Sequence, residues 1–468
     1  MTGQQRAFAM HATLMHAPQL GSVEILTDAL IDVGGDGYIE DITTPHASNY
    51  EQRVQSARAA GTLQTMAPGS YLLPGFIDLH IHAPQWPQLG KALHLPLNDW
   101  LAKNTFPLEA RYTDTTFARR IYSSLVDTLI ANGTTTAVYF GTIHREANQA
   151  LAEICLERGQ RAFVGKVAMD DPEQCPENYR DASIAEAIDG TVHLIDHIRS
   201  LAGNDTGLVK PIITPRFIPS CSDGLLTELG ALAGSTDCHI QTHCSESDWE
   251  HGFVIDRLGK SDTCALGDFG LLTRHTVLAH SNFVSGDDCS MIADAGAGIA
   301  HCPLSNFYFA NSVFPLRSAL EKGVRVGLGT DISGGPSASM FDSCRSAITA
   351  SRALEDGVDP ARPAPERGVP DSRIDFRHAF WCATTGGADV LDIPAGRFAP
   401  GLQFDAIAVN TQAAGSNIGV WEDFDSEEDI LQKIVYGATR DCITDVWIAG
   451  RNAYSSMRAT PSKTGTAK

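Results

Sequence analysis

The stretch Tyr71-Leu-Leu-Pro-Gly-Phe-Ile-Asp-Leu-His-Ile-His82 is an apolar run that ends in two histidines separated by one residue. A β-strand projects residues i and i+2 from the same face, so the imidazoles of His80 and His82 are predicted to leave one strand end side by side. Neutral imidazole is the commonest metal ligand, and two together make half of a catalytic zinc site. Such a pair is weak evidence by itself, so the other ligands must be found elsewhere in the chain.

Composition narrows the classes of protein to which the chain can belong. Its 468 residues carry 35 Lys and Arg against 56 Asp and Glu, a formal charge of −21. So acidic a surface repels phosphate backbones and anionic lipids, which predicts no nucleic-acid partner and no membrane partner. The N-terminus lacks the pattern of a signal peptide, and the eleven cysteines include no Cys-x-x-Cys. These features predict a cytoplasmic protein with reduced thiols.

Apolar runs typical of strands alternate with amphipathic helical segments through the middle of the chain. Eight strands are predicted, at 76–82, 134–140, 162–168, 211–217, 239–243, 276–280, 298–302 and 324–330. A helix is predicted over 114–131, where Phe117, Ile121, Leu125 and Leu129 recur every four residues and Gly133 follows as a stop. Alternation of this kind predicts a parallel sheet. Eight units favour a (β/α)₈ TIM barrel over the alternative, an open doubly wound sheet.

Both ends of the chain have a different texture, with short strand-like runs separated by turns. One group covers 23–42, and the other includes Phe404-Asp-Ala-Ile-Ala-Val and Asp445-Val-Trp-Ile-Ala-Gly. We therefore expect residues 1–74 and 400–468 to form a small β-sandwich domain built from both termini, with the α/β barrel over 75–399.

Further side chains that can bind a metal stand where the predicted strands end. His243, His280 and Asp331 occupy three of these positions, and Glu246 follows His243 closely. Taken singly, His280 could be a core histidine and Asp331 could cap the next helix. Because barrel enzymes carry their chemistry at the C-terminal ends of strands, the group as a whole predicts a divalent metal site. A bound metal lowers the pKa of water, and a carboxylate such as Glu246 can shuttle protons, so hydrolysis is the predicted reaction class.

At these residues the chain resembles the amidohydrolase superfamily and, within it, the guanine deaminases. The superfamily marks are Pro74-Gly-Phe-Ile-Asp-Leu-His-Ile-His82, His243, Ala279-His280 and Gly329-Thr-Asp331. The narrower marks are His82-Ala-Pro-Gln85, Asn104-Thr-Phe-Pro, Asn132-Gly-Thr-Thr-Thr, Thr214-Pro-Arg-Phe217, His243-Cys-Ser-Glu246 and His301-Cys-Pro-Leu-Ser-Asn. The resemblance runs from about residue 20 to about residue 455. The residues before about 15 and after about 458 have no counterpart in it.

The resemblance implies a (β/α)₈ barrel with a β-sandwich satellite, and the conversion of guanine and water to xanthine and ammonia in purine catabolism. It implies one Zn²⁺ per chain, although imidazole and carboxylate ligands also suit Fe²⁺. The implied metal ligands are His80, His82, His243 and Asp331. The implied catalytic residues are Glu246, His280 and Asp331. Relatives also imply a homodimer.

The same resemblance implies a purine pocket formed by Gln85, Arg216, Phe217, His243 and Glu246. The guanidinium of Arg216 would donate to O6 and N7 of guanine, and Phe217 would stack on the ring. On the residues alone, a surface ion pair for Arg216 and core packing for Phe217 remain open. Adjacent residues of a strand face opposite ways, so both can reach one pocket only if the strand has ended.

The position of one lysine bears on the number of metals. Lys166 falls on the third strand, whereas binuclear members carry a metal-bridging lysine on the fourth, so we predict one metal.

No role is assigned to the stretch 86–111. The open alternatives are an amidohydrolase that acts on another amino-heterocycle, such as 8-oxoguanine, a pterin or an s-triazine, and a barrel that has lost catalysis.

Overall fold

The computed structural model describes residues 6–456 as strands and helices in the following order. The strands are β1 Phe8–His16, β2 Glu24–Val33, β3 Ile39–Thr43, β4 Leu63–Thr65, β5 Ser70–Pro74, β6 Phe76–His82, β7 Thr134–Phe140, β8 Arg161–Gly165, β9 Val167–Ala168, β10 Val209–Pro215, β11 His239–Cys244, β12 Thr276–His280, β13 Gly298–His301, β14 Arg325–Leu328, β15 Ala406–Asn410, β16 Ile443–Ile448 and β17 Arg451–Ser455.

The α-helices lie mostly between the barrel strands. They are α1 Tyr50–Ala59, α2 Leu97–Trp100, α3 Phe106–Glu109, α4 Thr115–Ala131, α5 Arg145–Arg158, α6 Ile184–Ser200, α7 Asp223–Thr236, α8 Asp248–Leu258, α9 Asp262–Asp268, α10 Gly286–Ala295, α11 Pro303–Phe309, α12 Leu316–Glu321, α13 Met340–Asp356, α14 Ala364–Arg367, α15 Phe376–Trp381, α16 Gly387–Leu391 and α17 Glu427–Gly437.

The larger sheet is a barrel. Within the described residues its strands follow the order β6-β7-β8-β10-β11-β12-β13-β14, every neighbouring pair is parallel, and β9 adds to β10. The chain just after β14 returns to β6. There Asp331 N donates to His80 O over 2.8 Å, and His82 N donates to Ile332 O over 2.9 Å. These bonds join the last strand position to the first, so the predicted (β/α)₈ barrel is confirmed and the open sheet is excluded.

Helix α4 shows how closely the sequence determines the outer helices. Its predicted range was 114–131, and the helix is Thr115–Ala131. Asp114 caps it, because its carboxylate accepts from the backbone N–H groups of Thr116 and Phe117. Gly133 takes a φ of +85°, a conformation that glycine adopts without strain and that ends the helical path.

The smaller sheet comes from both ends of the described chain. Its order is β17-β16-β15-β5-β1-β2-β3, with β4 beside β1. One buried apolar cluster of this sheet contains Phe8, Leu14, Ile31, Phe404 and Trp447. The residues before about 15, for which the family resemblance offered no counterpart, include most of β1, an interior strand that pairs with β2, β4 and β5. Residues 457–468, which include the C-terminal tail, lie outside the described residues.

A buried ion pair ties the two sheets together. Arg161 at the start of β8 bonds to both carboxylate oxygens of Asp405, and its Nη2 lies 3.1 Å from Asp405 Oδ1. Asp405 also accepts from the backbone N–H of Ala449 over 2.7 Å, in the turn between β16 and β17. This single carboxylate therefore connects the barrel with the terminal sheet.

Two further features concern the helices and the cysteines of the described chain. Across residues 6–456, no helix has both the length and the apolar character that crossing a bilayer requires. In the same part of the chain each of the eleven cysteines is a free thiol.

Candidate active site

Three histidines and one carboxylate meet at the C-terminal mouth of the barrel. His80 and His82 end β6, His243 lies at the end of β11, and Asp331 follows β14. His82 Nε2 lies 3.0 Å from His243 Nε2 and 3.6 Å from Asp331 Oδ1, while His80 Nε2 lies 3.1 Å from Asp331 Oδ1. All four side chains are buried. The sequence-predicted ligands are thus brought together as a group.

The chemistry of this group suits a divalent metal. Burial first, and then the neighbouring histidines, lower the pKa of His80, His82 and His243 well below its usual value, so the rings are neutral. Within the described residues, the buried His80 Nε2 has no hydrogen-bond partner. One ring nitrogen each of His80, His82 and His243 lies within 4.8 Å of the other two. Asp331 Oδ1 lies within 3.6 Å of two of these rings. Neutral imidazoles beside a carboxylate are a donor set that divalent metals such as zinc accept, so these residues fit the metal.

Contacts behind the ligands fix their orientation. His243 Nδ1 lies 2.6 Å from Arg216 O and donates to it, which directs the Nε2 lone pair into the site. Asp78 accepts from the backbone N–H groups of His80 and Thr330 and from the Thr330 hydroxyl. Burial raises the pKa of Asp78 to about 7. Asp78 therefore links the ligands of β6 to the chain that carries Asp331.

The backbone is strained at and just beyond the strand ends that carry the side chains of the site. Ser245, His280, Ser281 and Asp331 have φ values of 47°, 68°, 57° and 48°, in the left-handed region that non-glycine residues seldom occupy. They lie just beyond β11, at and after the end of β12, and just beyond β14. Strain of this kind clusters at functional sites, where the surrounding structure holds it in place.

Glu246 and His280 face each other beside Asp331. His280 Nε2 lies 3.7 Å from Glu246 Oε1 and 3.9 Å from Asp331 Oδ2, too far for direct hydrogen bonds. A single oxygen atom can bridge separations of this size. Burial, and then the charge of Asp331, raise the pKa of Glu246 well above its usual value. A carboxyl group in this state can donate a proton near neutral pH.

Two asparagines connect His280 with Glu246, and sequence reasoning assigned a role to neither. His280 Nδ1 lies 3.1 Å from Asn306 Oδ1, Asn306 Nδ2 donates to Asn282 Oδ1 over 2.7 Å, and Asn282 Nδ2 donates to Glu246 O over 2.8 Å. Because Asn306 Oδ1 accepts a hydrogen bond from His280 Nδ1, His280 presents its other ring nitrogen, Nε2, to the site. Asn306 is the last residue of the motif His301-Cys-Pro-Leu-Ser-Asn. The motif indicated that this asparagine matters, but it did not indicate that it contacts His280.

A pocket opens from these residues towards solvent. It is lined by His82, Gln85, Leu97, Trp100, Leu101, Arg216, Phe217, His243, Glu246, Phe309, Asp331 and Gly334. Strand β10 ends at Pro215, two residues earlier than predicted, and a short 3₁₀ turn at Ile218–Ser220 follows. Arg216 and Phe217 are therefore past the strand, which is why both reach one pocket. Arg216 is buried, so the alternative of a surface ion pair is excluded.

The stretch 86–111, to which the sequence assigned no role, forms one wall of this pocket through Leu97, Trp100 and Leu101. It also supplies Glu109, whose carboxylate accepts from Arg216 Nη1 over 2.7 Å and from Gln85 Nε2 over 2.8 Å. Sequence reasoning missed Glu109, because nothing in the local pattern distinguishes a buried glutamate from an exposed one.

Lys166 lies between β8 and β9 at the third strand position of the barrel, as predicted. Its Nζ donates to Asp181 Oδ1 over 2.7 Å and to Val167 O over 3.0 Å. Both Lys166 and Asp181 are buried. The ammonium group is thus engaged in an ion pair of its own.

The chain is similar in sequence and in structure to proteins of known function. The sequence profile described as the amidohydrolase family matches residues 71–453. The guanine deaminase of Dictyostelium discoideum is 36% identical over 94% of this chain and 96% of its own length, and that of Homo sapiens is 35% identical over 95% and 96%. The crystal structure of guanine deaminase from C. acetobutylicum, which has guanine bound in its active site, is similar at a TM-score of 0.84 and 27% identity, covering 96% of this chain and 100% of that one.

Proposed function

The chain belongs to the amidohydrolase family, and we propose that it is a guanine deaminase, which hydrolyses guanine to xanthine and ammonia. The observation that carries the proposal is the lining of one pocket, which brings three of the four predicted metal ligands and Glu246 together with Arg216 and Gln85. Similarity to guanine deaminases over nearly the whole length of the chain supports the same reaction.

We propose that His80, His82, His243 and Asp331 hold one divalent ion, Zn²⁺, with Fe²⁺ as the alternative that the same ligands accept. A metal at these ligands would lower the pKa of a water molecule and so supply the nucleophile for hydrolysis. The ion pair of Lys166 with Asp181 supports one metal and not two.

The proton transfers are assigned to the chain's own carboxylates and to His280. Glu246 protonates ring N3 of guanine, which makes C2 electrophilic, while Asp331 and His280 orient the attacking water and accept its proton. The water oxygen bonds to C2 as a hydroxyl group. Glu246, now a carboxylate, takes the proton of that hydroxyl and gives it to the exocyclic nitrogen, so the bond from C2 to this nitrogen breaks, ammonia leaves and C2 becomes a carbonyl. The proton held by Asp331 and His280 then returns to Glu246, which restores the starting state. The raised pKa of Glu246 supports this double role, because the group must both lose and regain a proton during turnover.

Purine binding is assigned to Gln85, Arg216 and Phe217. Arg216 donates to the acceptors O6 and N7, and an adenine amine at the same place would meet a second donor. Phe217 offers its ring to the flat heterocycle from a position 6.1 Å from the His243 ring. Glu246 and His243 lie against the part of the purine that reacts.

We also propose that the protein acts in purine catabolism as a cytoplasmic homodimer. The eleven free cysteines support a reducing compartment. Two domains are proposed, 1–74 with 400–468 and 75–399. The end of β5 at Pro74 and the start of β15 at Ala406 support these limits.

A panel of substrates tests the proposed function. Purified, zinc-loaded protein is incubated with guanine, 8-oxoguanine, adenine, cytosine and a pterin, and the ammonia released is measured. We expect guanine to be the best substrate by a wide margin. Turnover of another compound far above that of guanine would contradict the assignment and identify the related amidohydrolase instead.

A further inference from the structure

Glu109 is a buried carboxylate that the proposed mechanism does not use. It ends the short helix α3, its side chain is 0% exposed, and both of its oxygens accept hydrogen bonds from residues that line the pocket. An isolated buried carboxylate is strongly unfavourable unless it is paired. Its partners, Arg216 and Gln85, are two of the polar residues assigned to the purine.

Glu109 and its neighbour Phe106 together fix the guanidinium of Arg216. Arg216 Nη1 donates to Glu109 Oε2 over 2.7 Å, and Nη2 donates to Glu109 Oε1 over 3.4 Å. The Phe106 ring lies against the guanidinium, with 5.1 Å from its centroid to Arg216 Cζ. One edge and one face of the planar fork are thus held by α3. A guanidinium has five N–H donors, so three remain after the two bonds to Glu109.

Glu109 also fixes the amide of Gln85. Gln85 Nε2 donates to Glu109 Oε1 over 2.8 Å, and Gln85 Oε1 accepts from the backbone N–H of Ser333 over 3.2 Å. A carboxylate can only accept and a backbone N–H can only donate, so the reversed amide would lose both bonds. The charge of Glu109 therefore gives Gln85 a single orientation.

We propose that Glu109 is a positioning residue that makes the site selective for purines with an oxygen at C6. It holds Arg216 so that its remaining donors meet the O6 and N7 acceptors, and it prevents the amide of Gln85 from turning to suit another edge. This inference rests on the proposed function, because the substrate roles of Arg216 and Gln85 belong to that proposal.

A purely structural role for Glu109 makes a different prediction. The chain offers a matched case in Asp181, a buried acid paired with the buried Lys166 at 2.7 Å and absent from the residues that line the pocket. Removing the charge of Glu109 leaves the buried Arg216 without its partner, and removing the charge of Asp181 does the same to Lys166. Only the loss of Glu109 is expected to change which purine is preferred.

The test compares binding of hypoxanthine, which has the oxygen at C6, with binding of purine, which lacks it. Neither carries the amine at C2, so both can be measured by equilibrium dialysis against the zinc-loaded protein. In the wild type, hypoxanthine is expected to bind more tightly. Glu109→Gln should weaken hypoxanthine by about 100-fold and change purine by less than about threefold. Asp181→Asn should leave the ratio of the two Kd values unchanged.

Three results would overturn the inference: no preference for hypoxanthine in the wild type, an equal loss of both ligands in Glu109→Gln, or the same change of ratio in Asp181→Asn. If Glu109→Gln does not fold, Glu109→Asp, which keeps the charge but withdraws it by one methylene, is judged by the same criteria. Ammonia release from guanine is measured separately on the wild type. Failure of the proposed function is therefore distinguishable from failure of this inference.

Discussion

His82 Nε2 and His243 Nε2 lie 3.0 Å apart at the mouth of the barrel. His243 donates from Nδ1 to Arg216 O, so its Nε2 carries a lone pair. Burial lowers the pKa of both rings, which leaves both neutral. Two neutral ring nitrogens at this separation, with the Asp331 carboxylate beside them, are suited to sharing a cation. Their relationship is the strongest local indication of a metal centre.

Removal of the metal is the first prediction. Dialysis against a chelator should abolish deamination and lower the melting temperature, because a ligand that binds only the folded state stabilises it. Added Zn²⁺ should restore both. Elemental analysis of the reloaded protein should give one metal per chain, and two per chain would refute the single-site assignment. His82→Ala, which removes one of the close pair of nitrogens, should reduce the bound metal.

Glu246→Gln should retain the metal and lose turnover. The amide has the size of the carboxyl group but cannot shuttle a proton, so kcat should fall about 1,000-fold. Metal content by elemental analysis and kcat by ammonia release decide the outcome. Glu228→Gln, at an exposed position on α7, serves as the control and should behave as the wild type. A Glu246→Gln protein of near-normal kcat would remove Glu246 from the mechanism.

Asn306→Ala should act on His280 without touching a proposed metal ligand. Losing the acceptor at His280 Nδ1 frees the ring to change its tautomer and orientation, so kcat should fall about tenfold while metal content stays the same. Asn417→Ala, at an exposed position, is the control. If Asn306→Ala and Asn417→Ala had the same kcat, the asparagine chain would be irrelevant to catalysis.

Asp405→Asn should destabilise the protein at the junction of its two sheets. The buried Arg161 would lose its charged partner, at a cost of about 3 kcal/mol in the free energy of unfolding. Asp127→Asn, which breaks the solvent-exposed pair with Arg158, should cost less than about 0.5 kcal/mol. Urea denaturation measures both. Equal effects of the two changes would show that Asp405 does not connect the sheets energetically.

The sequence predicted most of the frame and the candidate ligands, because both follow from local patterns. Strand periodicity and the positions of His80, His243 and Asp331 at strand ends were enough to place these side chains at one barrel mouth. The ends of strands were less certain. The end of β10 at Pro215 brings Phe217 into the pocket, and no pattern of period two could have located that end.

Contacts between distant segments were beyond the reach of sequence reasoning. Glu109 meets Arg216 across 107 residues, and Asn306 meets Asn282 across 24. Neither pair has a spacing typical of a helix or a strand, and burial of a polar side chain depends on what packs over it. The resemblance to a family identified motifs that contain or adjoin these residues, but it did not reveal how they are joined.

The most direct test of the account is the product balance of the purified, zinc-loaded protein acting on guanine. We predict that xanthine and ammonia appear in equal amounts as guanine disappears, and that Glu246→Gln slows the formation of both products about 1,000-fold under the same conditions. If guanine stays intact with a full complement of metal, or if a pterin or an s-triazine releases ammonia much faster than guanine does, the central claim is contradicted.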